Sequence, residues 1–129
     1  LEVDALSGEP GIYSARYAGF HEKNADKENN SKLLRELEGI PKTERGARFQ
    51  CVIAYMQHAK DPMPLICQGT WEGSILFSEE GENGFGYDPL FYVPSHGRAS
   101  AKLDAATKNA ISHRGQALTQ LLKCWNSHH

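Results

Sequence analysis

The stretch Ala47-Arg48-Phe49-Gln50-Cys51-Val52-Ile53-Ala54-Tyr55 alternates in the two-residue rhythm of a strand. Phe49, Cys51, Ile53 and Tyr55 fall on one face, while Val52 and Ala54 leave the other partly apolar. Asp61-Pro62-Met63-Pro64 then reads as a turn, and Leu65 to Thr70 returns as a second strand, so the segment predicts an antiparallel hairpin. Moving outward, Trp71 to Phe77 predicts a third strand bent at Gly73, and Glu79 to Gly86 a loop. Leu90 to Val93 predicts a short buried strand stopped by Pro94, and Ala101 to Lys108 a short helix. Ser112 caps a last helix whose predicted core stripe is Leu118, Leu121, Leu122 and Trp125. Upstream, Leu1 to Leu6 reads as the continuation of an element, and Ser7-Gly8-Glu9-Pro10-Gly11 as a loop. Asp26 to Glu38 predicts a helix with Leu33, Leu34 and Leu37 on one stripe, closed by Gly39 and Pro41. The expected class is α/β: a mixed twisted sheet with an antiparallel hairpin, flanking helices and a C-terminal helix, in one domain over residues 1–129.

Composition narrows the function classes. At 40% hydrophobic and 23% charged residues the chain has the profile of a globular domain, not a disordered one. Its 129 residues bury about two-thirds of the unfolded surface, enough for one modest core. Fourteen basic against sixteen acidic residues give a net charge of −2, which argues against a broad nucleic-acid footprint. The three cysteines, Cys51, Cys67 and Cys124, have no CxxC spacing, and Cys51 and Cys67 sit in apolar runs as small buried hydrophobes do. That usage predicts a reducing, cytoplasmic setting. No run approaches the about 18 apolar residues of a membrane span, and no signal peptide is expected. His128-His129 is either a tag remnant or a natural end.

The sharpest motif is Gly84-Phe85-Gly86-Tyr87-Asp88-Pro89. Its glycines permit a tight turn and close approach of backbone to a ligand. Phe85 between them has little local cover and needs another surface, such as a purine ring, whose stacking contributes about 1–3 kcal/mol. Asp88 before Pro89 is biased to an extended backbone, which directs its carboxylate. The plain alternative is a glycine-rich turn with its aromatics in the core and Asp88 in an Asx turn.

Lys108 and Ser112-His113-Arg114-Gly115 supply the complementary chemistry. A Ser cap followed by His113 and Arg114 presents N–H groups at the positive end of a helix dipole. Arg114 adds a planar fork of donors and Lys108 a mobile point charge suited to phosphate. Cations in a first helical turn are unfavourable by about 0.3–1 kcal/mol, so a bound anion is the expected offset. The alternative is a capped helix with solvated basic residues.

Other candidates are weaker. Glu2 and Asp4 are possible metal ligands, though surface carboxylates are far commoner. His21, His58 and His96 have no ligand spacing. Trp71 reads as a core aromatic, with a cleft wall as the alternative, and Glu22 to Glu38 as a solvated face. No Gly-rich phosphate loop and no acidic metal cluster stand out, so no catalytic or metal residue is assigned.

With these residues in view, the chain resembles the inosine/xanthosine triphosphate pyrophosphatase family. The likeness runs through Leu1 to Leu6, Pro10 to Gly19, Arg48-Phe49-x-Cys51-Val52, Gly69-x-Trp71-x-Gly73, Gly84 to Pro89 and Ile111 to Ala117. The resemblance implies hydrolysis of ITP, dITP and XTP to monophosphate and pyrophosphate, with Mg²⁺, in a homodimer. It implies that Phe85 stacks on the base and that Gly86, Tyr87 and Asp88 complete that wall. It also implies that Lys108 contacts the nucleotide, and that His113 and Arg114 read the purine edge. Donors at that edge suit the C6 carbonyl of hypoxanthine or xanthine, whereas adenine's amine there faces another donor at a cost of about 1–3 kcal/mol.

The family carries an N-terminal segment with a Thr/Ser-x-Asn-x-x-Lys phosphate loop, a metal-binding Glu and an Asp-Asp-Ser-Gly motif holding the catalytic base. The resemblance places Leu1 directly after that Gly, so this sequence matches the C-terminal part, about two-thirds, of the family's domain. It implies that the catalytic groups lie just upstream of Leu1 and that this chain alone turns over little or nothing. An exposed sheet edge or apolar face is then expected. A purine-binding or dimerising remnant without catalysis is the alternative function.

Overall fold

The computed structural model describes residues 1–19, 25–82 and 84–128. Five strands hydrogen-bond in the order β1-β2-β3-β4-β5. They are β1 (Glu2–Val3), β2 (Gly46–Tyr55), β3 (Leu65–Ile75), β4 (Phe91–Val93) and β5 (Arg98–Ala99). With them come α1 (Ala25–Glu36), α2 (Ala105–Ile111) and α3 (His113–His128). This is the α/β class expected. The pairs β1/β2, β3/β4 and β4/β5 are antiparallel.

The chain divides into two compact units, Leu1–Arg48 with Glu72–Asp104, and Phe49–Trp71 with Ala105–His129. In the first, β1 pairs Glu2 with Arg48 and Val3 with Ala47. Its core contains Val3, Leu33, Leu37, Leu90, Phe91 and Val93, none more than 1% exposed. The α1 pattern holds, since Leu33 and Leu37 recur one turn apart on the buried face. The expected solvated face is only partly so, because Asn29 and Asn30 are buried. Asn29 works as a stitch: its Oδ1 accepts from Ala18 N–H at 2.8 Å, and its Nδ2 donates to Ser14 O and Ala15 O.

The predicted third strand does not start afresh at Trp71. It is the end of β3, which runs unbroken through Gly69 and Gly73. The glycines are points of close approach and not bends. A Cβ on Gly73 would sit 2.4 Å from Tyr92 O, and one on Gly69 2.0 Å from His113 O. The helix predicted at Ala101 to Lys108 is also displaced. Ser100–Lys102 form a 3₁₀ turn, Leu103 is extended (φ −84°, ψ 145°), and α2 begins only at Ala105. At the start of the chain, the predicted continuous element is β1 followed by a 3₁₀ turn over Asp4–Leu6.

In the second unit β2 alternates as predicted, with Phe49, Cys51, Ile53 and Tyr55 half-buried and Gln50, Val52 and Ala54 exposed. Gln68 Nε2 donates to Gln50 Oε1, so Ile66 and Gln68 share that outer face. On it Val52 is 61% and Ile66 56% exposed.

Of the predicted core stripe of α3 only Leu121 is half-buried, and the rest is exposed. Leu118 and Leu122 are 50% and 61% exposed and Trp125 is 37% exposed, while Ala117 is fully buried. The helix turns its glutamines to β3 instead. Gln120 Oε1 accepts from Gln68 N–H (2.9 Å), and Gln116 accepts from Thr70 N–H (3.3 Å) while donating to Thr70 O (2.8 Å). Four helical residues advance about 6 Å and two strand residues about 6.8 Å, so an i, i+4 pair spans an i, i+2 pair of strand groups. These bonds decide which side of α3 faces inward.

Candidate functional site

In the first unit the loop 84–88 is held by its own carboxylate. Asp88, 6% exposed, accepts from Phe85 N–H through Oδ2 (2.9 Å) and from Ser100 Oγ–H through Oδ1 (3.0 Å). Gly84, at φ +90°, lies against this carboxylate, and a Cβ there would come within 2.3 Å of Asp88 Oδ2. Asp88 N–H in turn donates to Phe85 O at 3.2 Å. The carboxylate therefore organises the turn from inside. Sequence reasoning allowed either a ligand wall or a self-capped turn, and the two aromatics differ in burial. Tyr87 is buried and its Oη donates to Ser14 O at 2.6 Å, whereas Phe85 is 68% exposed. Burial pushes the Tyr87 phenol above its ordinary range, with Tyr17 and Asp26 adding to the rise, so it stays a donor at neutral pH.

Gly86 is held from α1. Its N–H donates to Asp26 Oδ2 and its carbonyl accepts from Asn30 Nδ2, both at 3.0 Å. Neither α1 residue was singled out from sequence. A polar pair at i, i+4 inside a charged run is the only signal that pointed to them.

In the second unit α2 meets α3 at Ile111–Ser112. The predicted cap is present, with Ser112 Oγ accepting from Gly115 N–H at 3.1 Å. Gly115 permits the crossing, since a Cβ there would lie 1.7 Å from Asn109 O. Lys108 is half-buried in the last turn of α2, where a cation suits the helix dipole. Arg114 is exposed in the first turn of α3. The half-buried His113 ring stacks on Phe49 at 4.9 Å and 14°, with Trp71 6.2 Å away. Trp71 is the core aromatic expected, 5% exposed. Phe49 as the plate beneath His113 was missed because strand alternation marks it only as inward-facing.

The structure thus brings Phe85, Gly86, Tyr87 and Asp88 into one loop of the first unit. It brings Lys108, His113 and Arg114 into one helix junction of the second.

The weaker candidates resolve simply. Asp4 and Glu2 both face Arg48, at 2.9 and 3.8 Å, and Arg48 also pairs with Glu72 at 2.8 Å. The hydrogen bond from Arg48 holds the Asp4 carboxyl below its ordinary range. Among the described residues no group of three or more His, Cys, Asp or Glu comes together to hold a metal. His58 and His96 are exposed, and His21 lies outside the described residues, as does His129. Cys51, Cys67 and Cys124 are free thiols. Desolvation, with Cys124 nearby, raises the Cys67 thiol away from ionisation.

Comparison with known proteins follows the same lines. A dITP/XTP pyrophosphatase of Vibrio parahaemolyticus is 59% identical over 121 residues, covering 94% of this chain and 60% of that protein. One from Escherichia coli O157:H7 is 54% identical over 122 residues, 95% of this chain and 61% of its own length. The solved HAM1 protein of Coxiella burnetii superposes with a TM-score of 0.91 at 52% identity, over 98% of this chain and 63% of that one. The chain therefore spans about 60% of the length of the curated relatives it matches. The Ham1 family profile matches residues 1–124, and the chain belongs to that family.

Proposed function

We propose that the protein containing this chain hydrolyses non-standard purine nucleoside triphosphates (ITP, dITP and XTP) to the monophosphate and pyrophosphate, clearing them from the nucleotide pool. The observation that carries this reading is Phe85. It is 68% exposed on a loop in which Tyr87 and Asp88 are buried and Gly86 is hydrogen-bonded to α1, an arrangement that favours a stacking plate over a core residue. Phe85 stacks on the base, while Gly86, Tyr87 and Asp88 form the wall that carries it. Lys108 contacts the nucleotide, and Arg114 with His113 reads the keto edge of the purine. Donors there select against adenine, whose amine would leave buried groups unpaired. The names of the relatives support the same substrates.

Mg²⁺ belongs to this reading through the family, where it would neutralise phosphate charge. Among the described residues no three His, Cys, Asp or Glu come together to hold it. The chain is read as the C-terminal portion, about two-thirds, of one domain, in keeping with its coverage of the relatives. A homodimer in the cytoplasm completes the proposal. Among the described residues no helix is long and apolar enough to cross a membrane.

Pyrophosphate release from ITP by the complete gene product tests the reading, and equal turnover of ATP refutes it. A second reading is that this chain by itself binds a purine nucleotide through the exposed Phe85 without turnover. Calorimetry with ITP tests that second reading, and no heat at millimolar ligand refutes it.

A further inference from the structure

Phe85 lies between two peptides, and both are held by side chains, one from within the loop and the other from α1. The peptide before it is fixed by Asp88, whose Oδ2 accepts Phe85 N–H. The peptide after it ends in Gly86 N–H, which donates to Asp26 Oδ2, and Asn30 Nδ2 then takes the Gly86 carbonyl. We propose that Asp26 and Asn30 are positioning residues, which hold the Phe85 ring in stacking orientation by clamping Gly86 from α1. The inference rests on the reading of Phe85 as the base plate.

The physical need is plain. Gly84 and Gly86 both have positive φ, +90° and +61°, in a loop that without restraint would sample many conformations. A plate that must be ordered by its ligand loses affinity to that ordering, whereas a pre-ordered plate does not. Nothing lies within 4 Å of a Cβ built on Gly86, so that side of the residue is open, and the hydrogen bonds of the two side chains restrain the peptide. Asn30 is a costly choice for stability alone. It is 3% exposed, and its Oδ1 has no hydrogen-bond partner among the described residues. An apolar residue would avoid that penalty but would lose the bond to Gly86.

The test uses the complete gene product, with steady-state hydrolysis of ITP. Asp26 is exposed, so its variants fold even where a change at the buried Asn30 fails. Loss of one loop-ordering bond is expected to raise KM about three- to tenfold in Asp26→Ala and Asn30→Ala, with kcat within about twofold. Asp26→Asn keeps the acceptor oxygen and is expected to restore KM. In a Phe85→Ala background, Asp26→Ala is expected to add less than about twofold, because the residue acts through the ring. Unchanged KM in both clamp variants, while Phe85→Ala raises it, overturns the inference and leaves the plate reading standing. So does a full multiplicative effect of Asp26→Ala without the ring, or failure of Asp26→Asn to rescue. An unchanged KM in Phe85→Ala sinks the plate reading and the clamp with it.

Discussion

Replacing Gly115 with alanine sets local propensity against packing. Alanine in a helix is favoured over glycine by about 1 kcal/mol, so propensity alone predicts a more stable protein. The structure predicts the reverse. The added methyl would lie 1.7 Å from Asn109 O and 2.8 Å from Asn109 C, both backbone atoms that no rotamer change can move. The α2–α3 crossing must open by more than an ångström, against the Ser112–Gly115 cap and the backbone bond from Ser112 N to Lys108 O. Overpacking of this kind costs about 1–3 kcal/mol and occasionally more. With the contact this short the upper end applies, for a net loss of about 2–3 kcal/mol after the propensity gain. Urea unfolding followed by circular dichroism reads it directly. With a slope of about 1–3 kcal/mol/M, the midpoint falls by about 0.7–3 M. Gly86→Ala is the control, since its Cβ meets nothing within 4 Å and only the φ of +61° opposes it. That costs about 1–2 kcal/mol. A Gly115→Ala protein as stable as the parent would refute the packing argument.

Asp88→Ala removes acceptors from Phe85 N–H and Ser100 Oγ–H inside the loop, and an expected loss of about 2–4 kcal/mol is checked by the same unfolding curve. Tyr87→Phe deletes the donor to Ser14 O, and its thermal midpoint should fall by an amount matching about 1 kcal/mol. The N–H groups of Met63 and Gln57 hold the Asp61 carboxyl below its ordinary range. A depressed folded pKa means that this contribution is present above the ordinary carboxylate pKa, about 4, and is lost as pH falls through the depressed value. Asp61→Asn should therefore lose part of the acid-side slope in a stability titration, and an unchanged slope would contradict the assignment. Arg114→Ala should weaken ITP binding to the complete gene product about 10-fold or more while barely changing ATP, as calorimetry with both nucleotides would show.

Much of this was legible beforehand, where one pattern decided the outcome. The alternation through Phe49, Cys51, Ile53 and Tyr55 survives as β2, and Leu33 with Leu37 marks the buried side of α1. Ser112 acts as the cap that its place before His113 suggested. The failures share a cause, since each depends on a partner distant in sequence. Leu118, Leu122 and Trp125 have helical spacing, but the facing of α3 is set by Gln116 and Gln120 bonding to β3, which no periodicity records. Gly73 looks like a bend until the backbone oxygen of Tyr92 is seen beside it. Of the candidate site, Phe85 and its glycines stood out by composition. The α1 residues that hold the loop from 56 and 60 positions away did not.

The glutamines that line β3 have a chemical consequence of their own. Gln116 serves Thr70 both as acceptor and as donor, imitating the two-way exchange of a neighbouring peptide. Slow hydrolysis of its amide to a carboxylate would keep the first role and turn the second into repulsion between two oxygens. Ageing at this one side chain would then loosen the hold of the helix on the strand and leave the Thr70 carbonyl facing a like charge, a hazard that no change in the gene announces.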